Sequence, residues 1–223
     1  MLLARLRLVV SVLLILMPAL NYWGNGDAYE SLVGLSGVGA VMLLSQVWLS
    51  LARQHRRHRW LPFVSSAFDV SLVTLVLMML AMRSPAAGLN SVVVWCFYPI
   101  AIFATALRND PQVTLFTGAL AILEFLALTA FFQMTADGPL VSADYGTVQV
   151  SNQLQRAILL VAATLVTAIL VLRMHKLVQL SGTDGLTGLP NRTYLNHRVP
   201  QILADARSEG HTLCLALIDL DNF

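Results

Sequence analysis

The stretch LQRAILLVAATLVTAILVLRM, residues 154–174, decides the fold class of this chain. It has one basic residue near each end, Arg156 and Arg173, and no acidic residue. A helix that crosses a membrane needs about 20 predominantly apolar residues, and this stretch meets that requirement. The whole chain agrees, because 57% of its 223 residues are hydrophobic and only 12% are charged, against about 25% in soluble domains. The sequence therefore predicts a polytopic membrane protein.

Counting this stretch, six segments are apolar over a length that can cross a bilayer. They are residues 6–23, 31–52, 61–82, 91–107, 112–134 and 154–174. We interpret the first as a retained helix and not a secretory signal peptide, since no small-residue cleavage site follows it. The fourth is short and contains Pro99, which should bend it. We therefore predict a mainly α fold in which residues 1–174 form a six-helix transmembrane bundle.

Basic residues are concentrated in alternate connections between these segments. One set of connections and ends carries Arg5, Arg7, Arg53, Arg56, Arg57, Arg59, Arg108, Arg173 and Lys176. The other set carries one basic residue, Arg83, and the acids Asp27, Glu30, Asp137 and Asp144. Lys and Arg in short loops remain on the cytoplasmic side of a membrane. Both termini are therefore predicted to be cytoplasmic.

Two acidic residues lie inside predicted spans, Asp69 in the third and Glu124 in the fifth. Intramembrane acids are rare and mark functional sites by default. At a rise of 1.5 Å per residue, they lie about 12 and 18 Å from the cytoplasmic ends of their helices, so one pocket could hold both. Trp95 and Tyr98 of the fourth span add polar and aromatic edges nearby. Two interpretations stay open: a sensory site for a ligand or proton, and protonated packing residues.

After residue 176 the composition becomes that of a soluble protein, and glycines and a proline mark a turn-rich connection. A helix is predicted next, with Asn191 as its N-cap, Gly210 as its stop and a bend at Pro200. Its apolar face consists of Leu195, Val199, Ile202, Leu203 and Ala206. The run TLCLALI, residues 212–218, lacks alternation and predicts a strand buried on both faces. A helix followed by a buried strand that ends in acids is how an α/β domain places a metal or phosphate site.

Two motifs in this region resemble a known family. DGLTGLPNR, residues 184–192, resembles the D-x-L-T-G-L-x-N-R signature that opens GGDEF domains. LALIDLDNF, residues 215–223, resembles the next motif of that family, a strand ending in D-x-D-x-F. The two motifs stand in the family's order and spacing after a transmembrane segment, as in many membrane-bound diguanylate cyclases. The signature residues present here are Asp184, Leu186, Thr187, Gly188, Asn191 and Arg192.

The resemblance implies that residues 184–223 begin a palm-like α/β domain, joined to the sixth span by a signalling linker of helix or turn over residues 175–183. In this family two domains meet face to face, each with one GTP, and join the nucleotides into cyclic di-GMP. Carried over by motif position, Asp219 is a ligand of Mg²⁺ (or Mn²⁺), and the Leu220 carbonyl is a second candidate ligand. The backbone amides of Asn222 and Phe223 would face the phosphates of GTP.

In the family, the guanine-binding helix and the GG[D/E]EF hairpin follow the D-x-D-x-F motif. We therefore expect this chain to be a fragment that has no cyclase activity alone, since one strand cannot form a sheet. Two hypotheses for the full-length protein remain: a sensor-gated diguanylate cyclase of the bacterial inner membrane, and a membrane receptor or scaffold with a degenerate, non-catalytic GGDEF domain. The residues beyond 223 would distinguish them.

The expected partners follow from the same interpretation. They are the lipid bilayer, GTP, an unidentified small-molecule or protein signal, and a second copy of the chain through the sixth helix and the GGDEF domain. For that helix contact, the small residues are Ala163, Thr164, Thr167 and Ala168. A net charge of +2 gives no indication of nucleic-acid binding.

Overall fold

The computed structural model describes residues 12–25, 27–53, 60–136, 138–182, 184 and 186–216. Its helices and strands confirm the mainly α prediction. In chain order they are α1 (Leu16–Asn25), α2 (Ala28–Arg53), α3 (Leu61–Arg83), α4 (Pro85–Asn90), α5 (Val92–Trp95), α6 (Phe97–Ala104), a 3₁₀ turn (Thr105–Arg108), α7 (Pro111–Thr135), β1 (Val141–Ser142), β2 (Gly146–Thr147), α8 (Val150–Ser181) and α9 (Arg192–Glu209).

Four of these helices are long and apolar enough to cross a membrane, judged by length and composition. The spans are Ala28–Trp48 in α2, Leu61–Arg83 in α3, Pro111–Thr135 in α7 and Val150–Leu177 in α8. Two further apolar stretches are shorter, Val12–Gly24 and Val92–Arg108. The predicted count of six spans is therefore supported at four positions and not confirmed at the first and fourth.

The fourth predicted span is not one continuous helix. Residues 85–108 form three short helices and a 3₁₀ turn, with breaks at Ser91 and Cys96. The Ser91 hydroxyl accepts a hydrogen bond from the Val94 N–H at 3.5 Å and so caps α5. Cys96 keeps helical backbone angles. Helical hydrogen bonds run from its N–H to the Val92 carbonyl at 3.0 Å and from the Ile100 N–H to its carbonyl at 3.3 Å. Pro99 follows three residues later and has no N–H to donate to the residue four positions earlier. The bend predicted at Pro99 stays a prediction.

The core of the bundle lies where α3, α6, α7 and α8 meet. Large side chains of these helices are fully buried there, among them Val70, Leu77, Tyr98, Ile102, Phe125 and Leu160. The helices α7 and α8 approach closely at Gly118, where an added Cβ would lie 2.1 Å from Thr164 Oγ1. A glycine at this position lets the two backbones come together.

The small residues of α8 face the inside of this bundle. Thr164, Thr167 and Ala168 are buried, whereas large residues such as Leu159, Val166 and Leu170 are exposed on the helix. Within this chain, Thr164 packs on Gly118 of α7. The predicted contact of the small residues with a second copy stays a prediction.

A small antiparallel hairpin precedes α8. Val141 pairs with Thr147, and Ser142 pairs with Gly146, whose φ of 65° is in the left-handed region that glycine adopts freely. After the hairpin, α8 continues to Ser181. Most of the segment predicted as a linker, residues 175–183, is therefore the last part of this helix.

Both predicted caps of α9 are present. Asn191 Oδ1 accepts a hydrogen bond from the Tyr194 N–H at 3.0 Å, and Gly210 ends the helix with a φ of 71°. Pro200 lies inside the helix. The strand predicted for residues 212–218 does not form over the described residues 212–216, because a strand needs a neighbour for its backbone groups. No strand lies beside them in the part of the chain that the structure describes, and the palm-like sheet stays a prediction.

Candidate functional site

Glu124 of α7 is held by hydroxyl groups of α3. The Ser71 hydroxyl donates a hydrogen bond to Glu124 Oε1 at 2.6 Å, and the Thr74 hydroxyl donates one to Oε2. Residues three apart on a helix are neighbours on its surface, so α3 presents both hydroxyls together. Each oxygen of the carboxyl group thus has a partner, which lowers the free-energy cost of placing an acid among apolar helices.

Tyr98 of α6 extends this network. Its hydroxyl forms a hydrogen bond of 2.7 Å with Thr74 Oγ1. The buried Tyr98 ring packs against Phe125 with ring centroids 6.0 Å apart, and Trp95 packs against the same ring at 6.5 Å. The structure therefore brings Tyr98, Trp95 and Glu124 into one cluster, in which Thr74 is hydrogen-bonded to both Tyr98 and Glu124.

Asp69 lies on a different face of α3 and is half-buried. It precedes Ser71 by two residues, so the two side chains point about 200° apart around the helix axis. Asp69 has an interaction of its own and lines a cavity of about 830 Å³. Glu124 is not among the described residues that line this cavity. The structure thus places the two intramembrane acids in separate surroundings.

The cavity runs between α1, α2, α3 and the short helices α4 to α6. Much of its wall is apolar and includes Met17, Val38, Val41, Leu72, Val76 and Phe97. Polar side chains lie at two levels. One is the half-buried Asp69 of α3. The other, at the end near the hairpin, consists of Glu30, Asn90, Asp144 and Tyr145.

Hydrogen bonds hold the hairpin at this polar end of the cavity. The Tyr145 hydroxyl donates a hydrogen bond to Glu30 Oε2 at 2.7 Å. Asn90 Nδ2 donates to the carbonyls of Tyr145 at 2.8 Å and Thr147 at 3.2 Å, and Asn90 Oδ1 accepts from Gln153 Nε2 at 3.1 Å. Burial, together with the Glu30 carboxylate, raises the pKa of the Tyr145 hydroxyl, which keeps it a neutral donor.

Arg156 connects the start of α8 to the short helix α4. Its Nη1 donates to the Leu89 carbonyl at 2.7 Å and its Nη2 to the Asn90 carbonyl at 3.3 Å. A cation at a helix C-terminus satisfies carbonyls that have no partner within the helix. The guanidinium also lies over the Trp95 ring, 5.7 Å from its centroid.

At the other end of α8, Asp184 and residues 186–192 form a compact turn. Asp184 Oδ1 accepts hydrogen bonds from the N–H groups of Leu186 at 3.1 Å and Thr187 at 2.9 Å, and from the Thr187 hydroxyl at 2.9 Å. Gly188 has a φ of 66°, and its N–H returns to the Asp184 carbonyl at 2.9 Å. Aspartate commonly closes turns in this way, so these residues set the backbone conformation.

The same contacts affect the charge of the turn. Hydrogen bonds from the Thr187 N–H, the Thr187 hydroxyl and the Leu186 N–H hold the pKa of Asp184 below its ordinary value. The charged carboxylate therefore favours the turn, and this contribution is lost as the pH falls through that lowered pKa.

The turn leads directly into α9. The Asn191 N–H donates to the Gly182 carbonyl at 2.7 Å, its side chain caps the helix, and Arg192 is the first helical residue. Leu186 and Leu189 are 99% and 64% exposed. An apolar surface therefore remains uncovered beside the turn.

The C-terminal segment, residues 181–223, matches a known protein family. Residues 181–223 match the family described as "Diguanylate cyclase, GGDEF domain". The segment belongs to this GGDEF-domain family. The match includes the signature turn and α9 of the GGDEF segment but not the bundle. No curated protein and no solved structure matches the chain, so the bundle is interpreted from its own residues.

The predicted metal and phosphate residues of the GGDEF segment, Asp219, Leu220, Asn222 and Phe223, lie outside the described residues. Their roles stay predictions. A carboxylate and a backbone carbonyl are oxygen donors of the kind that Mg²⁺ prefers. Within the described part of the chain, no group of three or more His, Cys, Asp or Glu side chains could hold a metal ion.

Sequence reasoning missed the partners of Glu124 and the contacts of the hairpin. The hydroxyls of Ser71 and Thr74 are unremarkable in a sequence, because serine and threonine are common in membrane helices. Their spacing of three residues on the helix that carries Asp69 was the available signal. Tyr145 gave no comparable signal, since its partner Glu30 is far away in the chain.

Proposed function

We propose that the full-length protein is a sensor diguanylate cyclase of the bacterial inner membrane. It condenses two GTP molecules into cyclic di-GMP under control of the bundle. The observation that carries this proposal is the continuity of α8. This helix begins at the hairpin, packs against α7 in the core and ends at Ser181, where the GGDEF match begins.

The chemistry rests on residues at the end of the GGDEF segment. Asp219 and the Leu220 carbonyl would hold Mg²⁺ or Mn²⁺, and the amides of Asn222 and Phe223 would bind the phosphates of GTP. The bound cation supplies charge neutralisation of the triphosphate and helps align the attacking 3′-hydroxyl. Asp221 follows Asp219 by two residues along the chain, and we give it a structural role.

The assembly follows from the reaction. Because each GGDEF domain holds one GTP, two copies must meet, and we propose a homodimer through the exposed face of α8 and the GGDEF domains. Ser181 and Asp184 are close in sequence, which leaves no room for another domain between the bundle and the signature turn. A rotation or shift of α8 would therefore act directly on the distance between the two GTP sites.

The test uses the full-length protein in lipid nanodiscs, supplied with GTP and Mg²⁺. The proposal predicts cyclic di-GMP as the product, with a rate that depends on a signal to the bundle. Binding of GTP without synthesis would instead support the alternative, a membrane receptor or scaffold with a degenerate GGDEF domain.

Both termini are proposed to be cytoplasmic, because basic residues alternate between connections. A reporter that is active only in the cytoplasm should therefore be active when fused after Arg57 and inactive when fused after Asp144. The reciprocal reporter, active only outside, serves as the control at both positions. An outside location after Arg57 would refute the six-span topology.

Replacing the intramembrane acids should alter the response to signal. Asp69→Asn and Glu124→Gln keep the side-chain shape but remove the ability to ionise. We expect each to change signal-dependent synthesis about two- to thirty-fold, the range that corresponds to couplings of roughly 0.5–2 kcal/mol. The measurement is cyclic di-GMP output in membranes across pH and candidate effectors.

The matched control for these variants is Glu209→Gln, which neutralises an exposed carboxylate at the end of α9. It should leave the response unchanged. If Asp69→Asn and Glu124→Gln also behave like the unmodified protein, both acids serve packing only, and the sensory role is excluded.

A further inference from the structure

The cavity beside α3 has the size and wall of a ligand site. Its volume of about 830 Å³ lies within the range of small-molecule sites, roughly 300–1,000 Å³. Asp69 and Leu80 of α3 both line it, and eleven residues of helix correspond to a length of about 16 Å. The cavity can therefore hold an elongated molecule with an apolar body.

The polar end of this cavity is negatively charged. Glu30 and Asp144 line it, and none of the described lining residues is Lys, Arg or His. Among the described residues, the neutral side chains of Tyr145 and Asn21 donate hydrogen bonds to Glu30. A carboxylate in partly apolar surroundings is stabilised by a cation, and the lining residues do not supply one.

The nearby arginines are engaged elsewhere. Arg83 forms an ion pair with Asp27 at 2.9 Å and lies over the Tyr29 ring, 5.0 Å from its centroid. Arg156 donates to the carbonyls at the end of α4. Charge complementarity at the cavity therefore favours a cation that comes from outside the protein.

We propose that this cavity binds an amphiphilic organic cation, with its charged group between Glu30 and Asp144 and its apolar body along the wall that leads toward Asp69. A lipid acyl chain would match the apolar wall but would leave the acidic end unmatched. An anionic or neutral amphiphile of the same length would likewise place no positive charge at the acidic end.

The position of this site connects it to α8. A cation at Glu30 competes with the Tyr145 hydroxyl for the same carboxylate, and Tyr145 belongs to the hairpin that leads into α8 at Val150. Binding therefore loosens or shifts the hairpin and acts on the start of α8. This second step rests on the proposed sensor function, whereas binding itself does not.

Binding is tested with the full-length protein in nanodiscs of zwitterionic lipid, by calorimetric titration with decyltrimethylammonium below its micelle concentration. Decyl sulfate and decanol are the matched anionic and neutral probes, and empty nanodiscs correct for partition into lipid. We expect saturable binding of the cation and no saturable binding of the other two. Equal binding of all three probes would show a lipid groove and overturn the proposal.

Two variants locate the site. Glu30→Gln should weaken binding of decyltrimethylammonium about tenfold or more, because a contact to a charged group is lost, and Glu209→Gln should not. Val41→Phe fills the cavity and should abolish binding, whereas Val47→Phe adds the same bulk on α2 at an exposed position that does not line the cavity. Unchanged affinity in Glu30→Gln or in folded Val41→Phe protein would refute the assignment.

The same samples separate binding from signalling. If decyltrimethylammonium binds and changes cyclic di-GMP synthesis, and the change is lost in Glu30→Gln, the result supports both the binding site and its effect on synthesis. If it binds with the expected variant pattern but the protein makes no cyclic di-GMP, the binding site stands and the proposed function fails.

Discussion

Replacing Asp219 with asparagine in the full-length protein is expected to reduce cyclic di-GMP synthesis by about two to four orders of magnitude. The amide keeps the size of the side chain but removes the negative charge that holds the divalent cation. Stabilisation of transition-state charge by a bound metal is worth several kcal/mol, and each 1.4 kcal/mol or so corresponds to a tenfold change in rate. The measurement is the initial rate of product formation from GTP at saturating Mg²⁺.

The control for this prediction is Glu209→Gln, which removes a carboxylate from the exposed end of α9 in the same segment. It should retain the rate of the unmodified protein, and the helical circular dichroism of both variants should be unchanged. Turnover of Asp219→Asn close to the unmodified rate, at matched protein concentration, would mean that Asp219 is not the metal ligand.

The caps of α9 and the signature turn could be predicted because they depend on hydrogen bonds between residues close in sequence. The caps of α9 depend on the Asn191 side chain and on the left-handed conformation of Gly210, and both effects act within a few residues. The signature also has a local explanation, because hydrogen bonds from Leu186, Thr187 and Gly188 to Asp184 close the turn. Motifs of this kind are visible in a sequence since the contacts that select them are between near neighbours.

The number of spans was harder to predict, because hydropathy measures composition and not the continuity of a helix. Residues 91–107 are apolar enough for a span, yet Ser91 and Cys96 interrupt the helices there. Pro99 marked this region because a proline has no N–H to continue the helical hydrogen bonds. The short helix α4 that precedes it packs closely on α3, where an added Cβ on Gly88 would lie 2.4 Å from Ala81 Cβ, and a sequence does not display such packing.

The surroundings of Asp69 and Glu124 depended on packing that a sequence does not display. Their depths in the membrane were similar by residue count, which favoured one shared pocket. Depth does not fix direction around a helix axis, however, and only the packing of α7 on α3 decides that Ser71 and Thr74 face Glu124. The Tyr145 contact with Glu30 likewise joins residues 115 positions apart.

The predicted strand at residues 212–218 illustrates a further limit. Its apolar run indicates burial in a sheet, but a strand is defined by the neighbours that accept and donate its backbone hydrogen bonds. Residues 211–216 have no such neighbour in the part of the chain that the structure describes, and they adopt no regular structure. The pattern therefore predicted the preferred environment of the segment and not the conformation that it adopts in this chain.

Replacing Gly118 with alanine is expected to destabilise the bundle by about 1–3 kcal/mol, the usual cost of inserting a methyl group into a well-packed contact. The new Cβ would lie 2.1 Å from Thr164 Oγ1 and 2.3 Å from its Cγ2, so α7 and α8 would have to move apart. The measurement is the free energy of unfolding of the purified protein in detergent, followed by circular dichroism. Adding Thr164→Ala to this variant should restore part of the loss, because it removes those two atoms.

Gly39→Ala is the matched control, because it adds the same methyl group inside the helix α2. There the new Cβ meets no atom within 4 Å in the described part of the chain. Alanine favours a helix over glycine by about 0.5–1 kcal/mol, so this variant should be as stable as the unmodified protein or slightly more stable. The two substitutions differ only in what surrounds the added methyl group. Equal stabilities would therefore show that α8 does not pack on α7 at Gly118, and would remove the contact through which we propose that the bundle holds α8.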